Sequence, residues 1–384
     1  MIYNFKNDTL FFNRYFVKNK EKMMTENFKN KIQRLELENF TCFSKATFDF
    51  SSGINVFIGE NGTGKTHVLK ILYSIAKHED FIERDLEGIF KVHFSNLIRQ
   101  DTSNSNINFE FSNNKKMSFD IQWQFHEGTV RDDEGIEHIE VIEIFQVEPS
   151  GFNKELDEIK DTLFIPCTEM LSLYNGFIAA YEKRENGFDR TYYHLAKALN
   201  ANLLINGAAN DAALLWKGLE DDLGVRVRYI DGKFSIFFKK EKKLIPSAIT
   251  AEGLKKLGQL TYLIQNGSLT KDTILFWDEP ETNLNPRYIK IVAKFLQTLA
   301  KNGVQIFVAT HDYLLVHLLS LDAEYQQVTD TPPMRFFALT KGENGTEVES
   351  ADTIAGITNN ALLDEYSAYS ELEHQLFKQS MQMV

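Results

Sequence analysis

The sequence predicts an α/β protein with a mixed sheet around a phosphate-binding loop, an antiparallel β subdomain and a mostly helical insertion. Three observations predict it. An apolar run, INVFI (54–58), leads into GENGTGKT (59–66) and then into a stretch of helical periodicity. A second apolar run (273–277) ends in adjacent acids, Asp278 and Glu279, and a third (304–309) ends at Thr310-His311. The last third alternates helix and strand patterns, as parallel sheets with helices on their faces require.

Taken in order, residues 32–40 (IQRLELENF) and 46–50 alternate apolar and polar side chains, the mark of half-buried strands, and bracket a turn at 41–44. The helix predicted at 65–77 is apolar at Val68, Leu69, Ile71, Leu72, Ile75 and Ala76, so most of its faces should be buried. Strands are expected near 89–94, 107–111, 117–124 and 138–146. Residues 154–224 read as mostly helical, with helices near 168–184, 190–200 and 210–222 and one strand at 162–165. Strands 225–230 and 233–239 join through Asp231-Gly232, a hairpin signal. There follow helix 252–265, strand 273–277, helix 287–300, strand 304–309, helix 312–320 and strand 335–340. The tail 361–378 is amphipathic, with Leu362, Leu363, Tyr366, Tyr369, Leu372 and Leu376, and is expected to dock on its own domain or on a partner. No heptads are sustained, which argues against long coiled-coil arms.

The 384 residues suffice for two or three packed units. No apolar run reaches membrane-spanning length, and no secretory hydrophobic region follows Met1. Two cysteines, Cys42 and Cys167, argue against a disulfide framework or a zinc site and fit a reducing cytoplasm. A net charge of −12 gives no whole-molecule attraction to nucleic acid. The densest basic run, Lys239, Lys240, Lys242 and Lys243, reads as a solvated hairpin. The 31 phenylalanines read as core. Residues 1–30 look like an appendage, and Met23 and Met24 offer a second place for the chain to begin.

GENGTGKT matches G-x-x-x-x-G-K-[ST] with a strand before it and a helix after it. Gly59, Gly62 and Gly64 let the backbone wrap close to phosphate oxygens. The N–H groups of the loop, through Glu60, Asn61 and Thr63, and the helix N-terminus supply positive potential. Lys65 adds a full charge, and Thr66 offers a hydroxyl to Mg²⁺. At the carboxyl edge of a parallel sheet, Asp278 is expected to hold Mg²⁺ and Glu279 to orient the attacking water. His311, 32 residues beyond Glu279, is expected at the same edge, sensing the γ-phosphate of ATP.

Together with the opening LELENFTCF, these three motifs resemble the ABC-type ATPase heads of the RecF, SMC and OLD proteins, which differ from hexameric AAA+ motors. The resemblance covers residues 32–370. It implies an ABC-type P-loop NTPase head with lobe I at 31–150, the insertion at 151–245 and lobe II at 246–384. It places ETNLNP (281–286) as the D-loop, and it implies a head-to-tail homodimer or higher oligomer closing over ATP. Residues 164–193 and 249–269 are similar to a subgroup of stand-alone bacterial ATP-binding proteins labelled toxin or abortive-infection ATPases. Those proteins are frequently encoded with nucleases in phage-defence loci. The chain shows no TOPRIM acid cluster or HNH pattern, so the resemblance implies a separate effector, a nuclease or toxin.

Such heads carry Ser-x-Gly before a helix, and here the matching stretch is Thr250-Ala251-Glu252-Gly253. Gly253 and the helix N-terminus keep the dipole, with Thr250 or Ser247 as the hydroxyl; the other reading is a plain helix cap. Gln100 stands where a Q-loop glutamine would. Glu169, Tyr174, Tyr181, Lys183 and Arg184 read either as a packed face with a charged end or as a partner contact. Three rival functions remain: a RecF-like repair ATPase that binds DNA structures, a transporter nucleotide-binding subunit, and a chain that is itself a toxin. The second would need an LSGGQ segment, which is absent.

Overall fold

The opening strands meet their expected places. β1 (Ile32–Phe40) and β2 (Phe43–Asp49) pair antiparallel across a tight turn, and β3 (Ile54–Gly59) runs into the Gly-rich loop and α1 (Lys65–Lys77). The computed structural model describes residues 31–77, 82–112, 116–131, 137–150, 161–184, 186–325 and 331–382. The 1–30 appendage lies outside them.

Residues 89–94, expected as a strand, instead finish α2 (Ile82–Phe90) and open a short helical turn at Phe94–Leu97. Leu86 and Ile89 are buried one helical turn apart in the same core as α1, so tertiary packing overrides the local strand pattern. β4 (Asn104–Phe111), β5 (Lys116–Arg131) and β6 (Glu137–Ser150) complete an antiparallel sheet of order β2-β1-β4-β5-β6.

β7 (Asp161–Ile165) lies within the residues read as an insertion, yet it pairs in parallel with β11 (Thr273–Asp278) at the edge of the main sheet. The helix expected over 168–184 is mostly turns. Gly176, at φ 74°, sits just before α3 (Phe177–Glu182). α4 (Arg190–Leu199) and α5 (Asn206–Leu223) follow. β8 (Val225–Ile230) and β9 (Lys233–Phe238) form the expected hairpin, and β10 (Lys243–Pro246) joins them. In the turn between β9 and β10, Lys239 pairs with Glu220 and Asp221, at 2.6 and 2.8 Å.

α6 (Glu252–Gln265), α7 (Pro286–Lys301), β12 (Gln305–Ala309), α8 (Tyr313–Tyr325) and β13 (Met334–Gly342) follow the predicted alternation. β14 (Gly345–Ala351), which the sequence reading passed over, caps the edge antiparallel to β13. The main sheet has the order β14-β13-β3-β12-β11-β7, parallel except at β14. β3, which carries the loop, therefore lies at its centre.

Both faces of the central strands β3, β12 and β11 are buried, which is why these strands are nearly continuous apolar runs. One face presents Phe57, Phe276, Phe307 and Phe337 to α1, α2 and the antiparallel sheet. Phe48 and Phe50 meet them there, with ring centroids 5.0–6.3 Å apart. The other face presents Val56, Leu275, Trp277, Ile306 and Val308 to α6, α7 and α8. Among the described residues, most of the phenylalanines are thus core material. Gln305, 1% exposed, joins the two sheets: its Oε1 accepts from the Ile32 N–H, and its Nε2 donates to the carbonyls of Ile32 and Ser51, all at 2.8–2.9 Å.

The tail forms α9 (Ala361–Gln382). Docking on its own domain holds only at its start. Leu362 and Leu363 pack on the core and Tyr366 meets the Tyr313 ring, but Tyr369, Leu372 and Leu376 stay exposed. The helix leaves the domain surface after its first turns, so those side chains have no apolar surface of their own domain to cover.

Candidate nucleotide site

The site forms where β3, β11 and β12 end. β12 lies between the other two, pairing Ala309 with Asp278 on one side and with Phe57 on the other. The Glu279 N–H donates to the Ala309 carbonyl (2.9 Å) and the Thr310 N–H to that of Phe57 (3.0 Å). Ordinary sheet hydrogen bonding therefore carries three distant motifs to one edge.

In the loop, Gly59 has φ +144°, and a Cβ there would lie 2.2 Å from the Leu339 carbonyl oxygen. A Cβ on Gly64, at φ +92°, would lie 2.5 Å from Cys42 Sγ and 2.8 Å from the Phe43 ring. Two of the three glycines are thus required by the protein's own packing, a reason the motif alone does not reveal. Only Gly62, exposed at φ +79°, has room beside it. The nearest neighbour there is the Lys341 side chain at 3.9 Å, a cation of β13 that sequence reasoning missed. Glu60 and Asn61 are exposed, and Thr63 is buried, its hydroxyl donating to the Glu60 carbonyl at 2.9 Å.

Lys65 is 7% exposed, and its Nζ donates to the carbonyls of Gly59 and Glu60, both at 2.8 Å. Burial pulls its pKa below the usual lysine value, against Glu279, Asp278, Glu281 and Glu60. The Thr66 hydroxyl lies 3.1 and 3.0 Å from the two oxygens of Asp278. Burial pushes the Asp278 carboxyl up to about 6, opposed by the Thr66 hydrogen bond and reinforced by the Glu279 charge.

Glu279 sits at φ +46°, a conformation that non-glycine residues seldom adopt and that clusters at functional sites. One carboxylate oxygen lies 3.6 Å from His311 Nδ1, and the other accepts from the Thr282 hydroxyl at 3.1 Å. Glu281, which the sequence placed only as part of the D-loop, does more. Its Oε1 accepts from the Thr310 hydroxyl (2.7 Å) and the His311 N–H (3.1 Å), and lies 3.7 Å from His311 Nδ1. Burial raises its pKa. The signal for it was present in the motif, a third acid two residues after Glu279, but its partners come from another strand.

At the signature-like stretch, Gly253 is buried beneath the following turn, where a Cβ would meet Leu284 at 2.9 Å and the Asn283 carbonyl at 3.2 Å. The Thr250 hydroxyl donates to the Pro246 carbonyl (3.0 Å) and that of Ser247 to the Leu171 carbonyl (3.4 Å), and both residues are buried. Both hydroxyls are turned toward their own chain. Gln100 is exposed in a turn. Glu169 pairs with Lys255 at 2.8 Å, and the buried Tyr174 donates to Asn200 at 2.8 Å, so these two belong to a packed face. Tyr181 stacks on Tyr193, while Lys183 and Arg184 remain exposed.

The donor set suits Mg²⁺. A hydroxyl and a carboxylate stand together beside a glycine-lined anion cradle, and Mg²⁺ favours few protein oxygens completed by phosphate and water. Among the described residues, no cluster of three His, Cys, Asp or Glu offers an all-protein metal site.

A family described as "AAA domain, putative AbiEii toxin, Type IV TA system" matches residues 54–317, a span that contains the loop, both acids and His311. The chain belongs to this family. The fold and the family match are those of an ABC-like P-loop ATPase. Among curated relatives, the DNA replication and repair protein RecF of Streptococcus suis is 38% identical over 58 residues, which are 14% of this chain and 16% of that protein. RecF of Flavobacterium johnsoniae is 49% identical over 45 residues, 12% of each. The chain therefore spans only a small part of these relatives' length. Among solved structures, the SMC head domain from Thermotoga maritima has a TM-score of 0.44 at 13% identity, covering 84% of this chain and 99% of that one. The Smc head bound to the ScpA C-terminal domain, from Pyrococcus furiosus, has a TM-score of 0.48 at 13% identity, covering 90% and 100%.

Proposed function

We propose that this AAA-domain protein is an ATP-hydrolysing switch, two copies of which close head to tail over Mg-ATP. The observation that carries the reading is the meeting of Thr66 with Asp278 at 3.0–3.1 Å across 212 residues of chain, with Lys65, Glu279 and His311 at the same sheet edge. The loop N–H groups and the α1 N-terminus bind the phosphates, and Lys65 exchanges its two carbonyl partners for phosphate oxygens. Thr66 and Asp278 would hold Mg²⁺, which when bound neutralises charge on the phosphates. Glu279 accepts a proton from water as its oxygen bonds to the γ-phosphorus and the bond to the ADP oxygen breaks. His311, half exposed and beside Glu279, steadies that water and reads the γ-phosphate.

The backbone end of α6, with Gly253 and the adjoining Thr250 segment, completes the partner's site, since the nearby hydroxyls are engaged at home. ATP binding favours the closed pair and hydrolysis releases it. The family's description, a putative AbiEii toxin of a type IV toxin–antitoxin system, supports a place in bacterial toxin–antitoxin or defence biology. That this chain acts in the cytoplasm on a separate effector, a nuclease or toxin, is carried over from the resemblance of residues 164–193 and 249–269 and not from that description. Among the described residues no helix is long and apolar enough to cross a membrane.

Lys65→Ala is expected to abolish nucleotide binding. Glu279→Gln is expected to retain ATP and accumulate dimers, read by light scattering with and without ATP. Unchanged turnover in Glu279→Gln would overturn the assignment of the base.

A further inference from the structure

We propose that Lys256 is a positioning residue that links α6 to the carboxylate of Glu279. Closure of α6 on a partner's nucleotide and the aim of Glu279 in the same chain are then one movement. The inference rests on the ATPase reading above and adds to it a cis connection between two half-sites.

Lys256 lies one turn into α6 and is 2% exposed. Its Nζ donates to the Glu279 carbonyl at 2.6 Å and reaches the Thr282 carbonyl at 3.4 Å. Those two residues close the turn that presents the carboxylate: the Thr282 N–H donates to the Glu279 carbonyl at 3.2 Å, and the Thr282 hydroxyl holds Glu279 Oε2 at 3.1 Å. Gly253, at the start of the same helix, packs directly under Asn283 and Leu284. The helix and the turn 279–284 are therefore one packed unit, hydrogen-bonded at one end and close-packed at the other. Glu279 is held within it at φ +46°.

Burying an ammonium group is expensive, and an apolar side chain of the same length would fill this space at less cost. Burial pushes Lys256 down to about 8, while Glu281, Glu279 and Asp278 pull the other way. What the charge adds at this position is a grip on two backbone carbonyls. The neighbouring Lys255 faces other partners, Glu169 and Ser172, and anchors α6 to the 169–172 segment instead. A displacement of α6 thus reaches Glu279 through Lys256.

The test compares the full-length wild type with Lys256→Met for ATP affinity, ATP-driven dimerisation and steady-state turnover. Affinity and dimerisation are expected to hold, while kcat falls about 10- to 100-fold from misaim of the base, with partial recovery in Lys256→Arg. A folded Lys256→Met protein with wild-type kcat overturns the proposal. So does a parallel loss of affinity and turnover, which would mark general damage. Should Lys256→Met fail to fold, Lys256→Gln, which can give one hydrogen bond, is read by the same criteria. Absence of turnover in the wild type would instead sink the ATPase reading, and this inference with it.

Discussion

Replacing Asp278 by Asn should stabilise the protein when nucleotide and divalent cation are absent, and by an amount that depends on pH. The Asp278 carboxyl is raised from 3.8 to about 6 because it is buried at a strand end beside Glu279. That difference corresponds to about 3 kcal/mol. The folded protein holds this proton more tightly than the unfolded chain does. The contribution to stability is therefore fully present below pH 3.8 and is lost as pH rises through about 6. Asparagine has the same shape, keeps an oxygen for the Thr66 hydroxyl and carries no charge to desolvate. At pH 7.5 in a chelator, Asp278→Asn should be more stable than wild type by up to about 3 kcal/mol, and the gap should close as pH falls toward 4. Groups remote from Asp278 titrate alike in both proteins, whereas Lys65 and Lys256 lose the support of its charge in the variant, so the difference reports this carboxyl together with its effect on those two lysines. Urea unfolding across the pH range measures it. Adding Mg-ATP should reverse the order, because only the wild type keeps the carboxylate. A gap that does not change between pH 5 and 7.5, or an Asn variant that is the weaker protein at pH 7.5, would refute the reasoning.

Three further outcomes follow from the fold. Gln305→Met removes three hydrogen bonds, the two to Ile32 buried and the one to Ser51 partly so, and strands the Ile32 N–H; a loss of about 3 kcal/mol is expected in chemical denaturation. Gly59→Ala drives a Cβ to 2.2 Å from the Leu339 carbonyl, so the loop cannot close, and both thermal stability and nucleotide binding should fall together. His194 is buried against the Tyr73 hydroxyl, and burial pushes its pKa from 6.5 down to about 2. Its contribution is present above pH 6.5 and is lost as pH falls below it, by about 1.4 kcal/mol per pH unit. His194→Phe should flatten that part of the stability profile, and an unchanged slope between pH 6.5 and 5 would remove His194 from the account.

The elements that the sequence made legible are those whose periodicity is strong and whose burial is one-sided or complete. INVFI, TILFWD and QIFVA are apolar except at Asn55, Thr273, Asp278 and Gln305 and form the buried centre of the main sheet. The α7 stripe of Ile289, Val292, Leu296 and Leu299 repeats at helical spacing. Reading was weakest where neighbours decide. β10 is only four residues long and mostly exposed, and β14 carries few apolar residues; both form because a strand edge lies alongside them. Residues 168–176 pattern like a helix but are turns, ended at the left-handed Gly176.

The candidate site divides in the same way. By itself the sequence determined the identity of the phosphate loop, the two acids and the histidine, because each motif is local: a loop needs glycines at set intervals, and a strand end needs its acids in succession. Their meeting at one sheet edge is also expected from the sequence; tertiary structure alone decided that β12 lies between β3 and β11 and set the contacts themselves, Thr66 to Asp278 and His311 beside Glu279. It also decided that Glu281 braces the Thr310-His311 segment, that Lys256 grips the turn beneath Glu279, and that Thr250 and Ser247 turn inward. These are contacts between side chains or backbone groups far apart along the chain. Spacing in sequence carries no information about which strands become neighbours; that follows from how the two apolar faces of the sheet are covered.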